Sequence, residues 1–314
     1  MFIDEYGFLG KDIKQYERKL ETQYKDVFNF CEEFNRYLNT IQFKIIKKND
    51  NISPDTIISV AKNDIQDGTI YAIFLKSLTT FQSIYFLFKH CFCNNAENSC
   101  RILFEEMVNI YYCSIGEDKT KIYLSEAEIF EYNKNELLYK IMNKQKEKNI
   151  RYFSNNELES HFEEKSYDER KKSIIDKLKK YNVNDLFNNN GKPKSFNLKE
   201  RIEQLMEQRN DLDMVANYYC TFYKIASLGI HSSPDNLNRY WIFDNDAGGI
   251  KDFNRGPRAE KCEINCIFAS IHFMIMLTEC LFAHFKYQKK EEISNFWGIT
   301  KKLGSKYKYF ENIE

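Results

Sequence analysis

From Ile264 to His284 the chain reads INCIFASIHFMIMLTECLFAH with no Lys or Arg, although 29% of all residues are charged. A stretch so long and so apolar is either a membrane span or a helix sunk in a large protein core. Asn265, Ser270, His272 and Glu279 interrupt it, and each is costly in hydrocarbon. The segment from about Ala259 to Lys286 is therefore read as a core helix of a soluble protein, with no membrane contact.

Two further runs make the same demand. Thr69 to about Phe92 is apolar nearly all round, with only Lys76 and Lys89 charged, which predicts a central helix. From Met214 to Ser233 the only formal charge is Lys224, so this stretch reads as a helix buried on nearly every side. Four Pro and 11 Gly in 314 residues are too few for the turns of a sandwich or barrel. The expectation is an all-α bundle, one domain over residues 1–314, its core filled by 26 Phe and 21 Tyr.

Charge excludes one class of partner field. Lys+Arg and Asp+Glu both number 46, so nothing global draws the chain toward nucleic acid or an anionic membrane, and any such contact is a local patch. Nine cysteines, an odd number scattered in apolar runs, read as free thiols in a reducing cytoplasm, and Met1-Phe2-Ile3-Asp4-Glu5 opens no signal peptide. His90-Cys91-Phe92-Cys93 with Cys100, and Cys262-x-x-x-Cys266 with His272, lack paired Cys-x-x-Cys spacing. No metal site and no cofactor is assigned.

In chain order, an outer amphipathic helix is expected from Asp12 to about Ile46, with Phe28, Phe34, Leu38, Ile41 and Ile45 at helical spacing. Ser53-Pro54-Asp55 opens a short helix through Ala61, and Asp67-Gly68 breaks the chain before the central run. Asn94 to Ser99 reads as a turn into a helix from Cys100 to Ser114. Its apolar face is Leu103, Phe104, Met107, Val108 and Tyr111, with Arg101 and Glu105 at the border. A helix from Asp118 to about Lys146 is expected to bury Ile122, Leu124, Ile129, Phe130, Leu137, Leu138 and Ile141.

Residues 143–196, rich in Lys, Glu, Asn and Ser, read as a mobile polar helical insertion. Within it, periodicity resumes from Lys171 to Tyr181, and Asn188 to Pro193 is a loop. Leu198 to Asn210 is a short helix, and Asp211 is placed to cap the next. Arg239 to Phe243 and Ile250 onward suggest a small β-hairpin, a lid over His231. A Lys-rich tail with Trp297 closes the chain.

The candidate site lies on the Met214–Ser233 helix. Tyr223, Ser227 and His231 recur every four residues, aligning a phenol, a hydroxyl and an imidazole on one side. Gly229 and Ser232-Ser233-Pro234 put His231 in the last turn. Metal-free RNA cleavage needs a base for the 2′-hydroxyl, an acid for the leaving oxygen and a cation on the phosphate. His231 supplies an acid or base, Arg101 a bidentate phosphate contact, and Glu105 or Tyr223 their orientation, while Ser227 can fix the imidazole tautomer. The plain structural reading is an Arg101–Glu105 intrahelical pair and a histidine capping carbonyls. No Gly-x-Ser-x-Gly elbow accompanies Ser227, so a hydrolase triad is excluded.

Arg101-Ile102-Leu103-Phe104-Glu105, followed by Tyr223-x-x-x-Ser227-x-x-x-His231-Ser232, resembles a bacterial helical family of unknown function. That family pairs Arg-x-x-x-Glu with a later Ser-x-x-x-His and is placed near the HEPN (higher eukaryotes and prokaryotes nucleotide-binding) group. The layout is similar over roughly residues 70 to 285, the detail only in these two motifs. The resemblance implies a HEPN-like multi-helix bundle and a metal-independent endoribonuclease or toxin-like effector of antiviral or toxin-antitoxin defence. It further implies a homodimer, RNA or nucleotide as ligand, an antitoxin or defence partner, and roles for Arg101 and His231. The chain departs from the HEPN hallmark in that none of its five histidines follows an Arg by the Arg-x(4 to 6)-His spacing. The alternative is an inert helical module binding a nucleotide, RNA or protein in the same cleft.

Overall fold

Tyr24 divides the first amphipathic stretch in two: α1 runs Ile13–Gln23 and α2 Lys25–Lys47. The ladder passes through it, since Tyr24 donates to Leu20 O at 2.8 Å and accepts from Phe28 N at 3.0 Å. The computed structural model describes residues 13–47, 64–148, 166–209, 212–224, 241–244, 249–253, 262–287 and 290–309. The short helix expected at 54–61 lies outside them. Phe28, Phe34, Leu38 and Ile41 are buried, as their spacing predicts.

The next helix, α3 (Ile65–Lys89), starts earlier than Asp67-Gly68 suggested. Asp64 caps it, accepting from Gln66 N and Asp67 N, and Asp67 then sits in the first turn, where the helix dipole favours a carboxylate. The helix is not apolar all round either. Ala72, Lys76, Thr79, Ser83 and Phe86 form a solvent stripe at alternating four- and three-residue spacing.

The chain turns at Cys91, not at Asn94–Ser99. Cys91 takes a left-handed φ of 64°, donating to Phe88 O while Phe92 N bonds Leu87 O, a Schellman termination. Helix α4 (Cys93–Ser114) then includes the polar run, because Ala96 and Cys100 on that run are buried. Two later helices end the same way, at Lys286 (φ 52°) and Lys308 (φ 58°).

Contacts divide the chain into two units, residues 1–114 with 202–314, and residues 115–201. In the second, α5 (Glu117–Leu124) and α6 (Glu126–Lys148) replace the single helix expected, Ser125 standing between them. That break rephases the face: Ile129, Tyr132 and Asn135 are buried, whereas Phe130 is 66% and Leu137 58% exposed, against expectation. Helix α7 (Tyr167–Lys179) starts before Lys171 because Ser166 and Glu169 form a capping box. It packs on α6 through stacked Tyr139 and Tyr167 rings, 3.9 Å apart, and through Lys171 on Glu136 at 2.9 Å. The Asn188–Pro193 loop closes on a Phe187–Pro193 bridge, with Gly191 left-handed at φ 68°. Helix α8 (Leu198–Gln208) follows, and Arg201, buried at its start, pairs with Glu126 and lies over the Tyr123 ring.

In the first unit, α9 (Asp213–Tyr218) begins from Leu212 without a side-chain cap and continues as a π-turn over Tyr219–Tyr223. A two-stranded antiparallel hairpin comes next, β1 (Trp241–Asp244) and β2 (Gly249–Phe253), pairing Trp241 with Phe253 and Asp244 with Gly249. Helices α10 (Cys262–His284) and α11 (Lys290–Lys306) complete it, so the expected Lys-rich tail is a helix anchored by Ile293, Phe296 and Leu303. The protein is thus predominantly helical.

The core forms where α3, α4 and α10 meet. Helix α10 is long and apolar enough to cross a membrane, as is α3, yet 89% of its most apolar window is buried within the protein. Phe74 and Phe81, Phe104 and Met107, and Phe268 and Phe273 are its fully buried filling. Phe34 of α2 meets Phe81 at 5.8 Å and Phe296 of α11 at 4.8 Å, extending the core outward. Fully burying each such ring contributes about 2 to 3 kcal/mol.

Candidate functional site: an Arg–Glu–Tyr cluster beside a π-turn

Helix α4 buries Leu103, Phe104, Met107 and Val108, which leaves Arg101 and Glu105 at the edge of its apolar face. Their side chains are 21% and 37% exposed and approach to 3.3 Å, one helical turn apart. The π-turn brings the third member. Lys224 N bonds Tyr219 O, a five-residue closure in place of the α-helical four, and this widened turn carries Tyr218, Phe222 and Tyr223 against the bundle. Tyr218 and Phe222 rest on Phe273 of α10 at 4.9 and 5.7 Å, and Tyr223 rests on Phe104 at 5.4 Å.

Tyr223 thereby reaches both charges. Its hydroxyl accepts from Arg101 Nη2 at 3.1 Å and donates to Glu105 Oε1 at 2.8 Å, closing a triangle with the ion pair. The guanidinium carbon also stands 4.9 Å from the Tyr223 ring centre. Burial, then the bond to Glu105, raises the phenol above its ordinary range, with Arg101 partly offsetting this. The hydroxyl therefore stays protonated near neutrality and keeps its proton toward Glu105.

A buried polar anchor lies behind the cluster. The Tyr218 hydroxyl meets His272 Nδ1 on α10, and the His272 ring is 5.3 Å from Trp297 and 5.5 Å from Tyr309. Burial lowers the His272 value to about 4, so the ring is neutral. This anchor has no sequence signal, because Tyr218 and His272 are 54 residues apart in runs that read as plain core.

Of the expected site residues, Arg101, Glu105 and Tyr223 come together, while Ser227 and His231 lie outside the described residues, and with His231 any relation of the β1–β2 hairpin, the expected lid, to it. The described part of the Met214–Ser233 stretch, which ends at Lys224, is not buried on nearly every side. Met214, Asn217, Cys220, Thr221 and Lys224 are exposed, so its described part is amphipathic. The described histidines are engaged elsewhere: His90 with Glu17 at 2.8 Å, His284 with Asp67 at 2.6 Å, and His272 as above. Cys31, Cys91, Cys100, Cys113, Cys266 and Cys280 are buried cysteines outside any disulfide, and Cys220 on the π-turn is an exposed one.

The fold and cluster define a predominantly helical protein with an Arg–Glu–Tyr triangle on two neighbouring helices. The chain belongs to the family of unknown function DUF5677, whose model matches residues 67–250. That span includes Arg101, Glu105, Tyr223, Ser227 and His231. No curated protein and no solved structure matches the chain.

Proposed function

We propose that the cluster is the phosphate-binding part of a metal-independent endoribonuclease site in a HEPN-like, cytoplasmic effector of bacterial defence, acting as a homodimer under a partner protein's control. The observation that carries it is the triangle of Arg101, Glu105 and Tyr223: an arginine oriented by a carboxylate and a phenol at the border of a core, part-exposed. Arginine so held is pre-organised for the non-bridging oxygens of a phosphodiester. In the proposed step a base removes the 2′-hydroxyl proton, and the 2′-oxygen forms a bond to phosphorus. The bond from phosphorus to O5′ breaks, and an acid protonates O5′. The products are a 2′,3′-cyclic phosphate and a 5′-hydroxyl. His231 is the acid or base of this reading, Glu105 and Tyr223 orient Arg101, and Ser227 orients the imidazole.

One observation favours the second reading, an inert module that binds a nucleotide, RNA or protein. The Arg101 charge is already met by Glu105 at 3.3 Å, so a phosphate must displace or share that carboxylate. Incubating the purified protein with RNA in EDTA separates the two. Cleavage lost in Arg101→Ala and His231→Ala, with helix content intact, supports the enzyme. RNA binding without cleavage in the wild type supports the module.

A further inference from the structure

A half-open groove of about 1200 Å³ runs beside α10, the start of α9 and α11, away from Tyr223. One face of α10 forms its floor, Met276, Glu279, Cys280 and Ala283 at helical spacing, and Trp297 of α11 forms a wall. That wall is fixed from both sides. The indole Nε1 donates to Glu279 Oε1 at 2.8 Å, and the ring packs 5.3 Å from buried His272.

Glu279 faces the groove with an uncommon partner set. Among the described residues its hydrogen bond comes from an indole, and no Lys or Arg approaches it within ion-pair distance. Burial raises its carboxyl above the usual range, with the Trp297 bond partly offsetting this and no cation contributing. Arg209, which also lines the groove, lies over the Tyr111 ring at 5.2 Å. Among the described residues of the lining, Glu279, Glu291 and Glu292 outnumber Arg209 and Lys286, a balance that favours a cation. Its size and its Met276, Phe282 and Trp297 surface exceed what a metal ion uses and suit a chain of methylenes.

We propose that this groove binds a linear alkyl polyamine, with one ammonium on the Glu279 carboxylate and the methylene chain along Met276 and the Trp297 indole. The ammonium supplies a charge partner that Glu279 does not have among the described residues, and the pinned indole adds a cation–π face without ordering cost.

Calorimetric titration of the full chain with spermidine tests this. The wild type is expected to give a saturable heat that survives magnesium chloride at equal charge. Glu279→Gln is expected to weaken binding by about tenfold or more, the scale of a lost charge-assisted bond. Glu33→Gln, the same charge change at an exposed position on α2, is expected to leave it unaltered. Ser294→Trp fills the groove from its exposed rim without altering charge and is expected to block binding, which keeps the test decisive if Glu279→Gln loses helix content. Absence of saturable heat in the wild type, its abolition by magnesium, equal weakening in Glu33→Gln and Glu279→Gln, or full binding by Ser294→Trp each overturns the proposal.

Discussion

Arg101 Nη2 stands 3.1 Å from the Tyr223 hydroxyl although the two residues are 122 positions apart in the chain. The contact joins α4 to the π-turn after α9 at a place where each presents a polar group beside an apolar face. Because that hydroxyl also donates to Glu105, a single phenol holds both partners of the ion pair.

Removing only the hydroxyl measures what this link contributes. Tyr223→Phe keeps the ring against Phe104 and under Arg101, and is expected to lower unfolding free energy by about 1 kcal/mol in urea denaturation. Tyr223→Ala also removes the ring and is expected to cost about 3 kcal/mol. An unchanged unfolding free energy in Tyr223→Phe would show that the hydroxyl contributes nothing.

The buried His272 makes stability depend on pH. Its ordinary value of 6.5 falls to about 4 in the fold because burial disfavours the charged ring. Between those values the unfolded chain binds the proton and the folded one does not. Its contribution is therefore complete above pH 6.5 and is lost as pH drops toward 4, by about 3 kcal/mol in all. His272→Gln, which can still bond Tyr218 but does not titrate, is expected to flatten the wild-type slope across that window. Parallel curves for the two proteins would place the pH dependence on other groups.

Non-glycine residues at left-handed helix ends leave stability to be gained. Lys308 is exposed at φ 58°, a conformation in which glycine has no steric penalty. Lys308→Gly is expected to raise unfolding free energy by about 0.5 to 1 kcal/mol. The same change inside α11, Lys301→Gly, is expected to lower it by about 1 kcal/mol. A loss at both positions would show that the Lys308 side chain matters more than its backbone.

The legible parts of this protein are those governed by helical periodicity. Leu103 to Tyr111 predict the buried face of α4, and the same projection puts Arg101 and Glu105 at its edge, where they are found. The Trp241–Phe253 hairpin was likewise readable from its strand runs and intervening Asp-Asn-Asp-Ala-Gly-Gly. What escaped reading depends on where a helix stops or changes pitch. Asn94 to Ser99 look like a turn by local preference, but burial of Ala96 and Cys100 keeps them helical, and Cys91 bears the break. Ser125 shifts the phase of α6 and sends Phe130 and Leu137 outward. No residue pattern encodes the π-turn, so the approach of Tyr223 to Arg101 was suggested by chemistry alone.

The most direct test of the proposed activity is end-group analysis of RNA incubated with the purified protein in EDTA. The proposed activity predicts fragments ending in 2′,3′-cyclic phosphate and beginning with 5′-hydroxyl from the wild type, and none from Arg101→Ala at wild-type helix content. Undiminished fragments from Arg101→Ala, or no cleavage of RNA by the wild type alone or with a partner protein present, would contradict it.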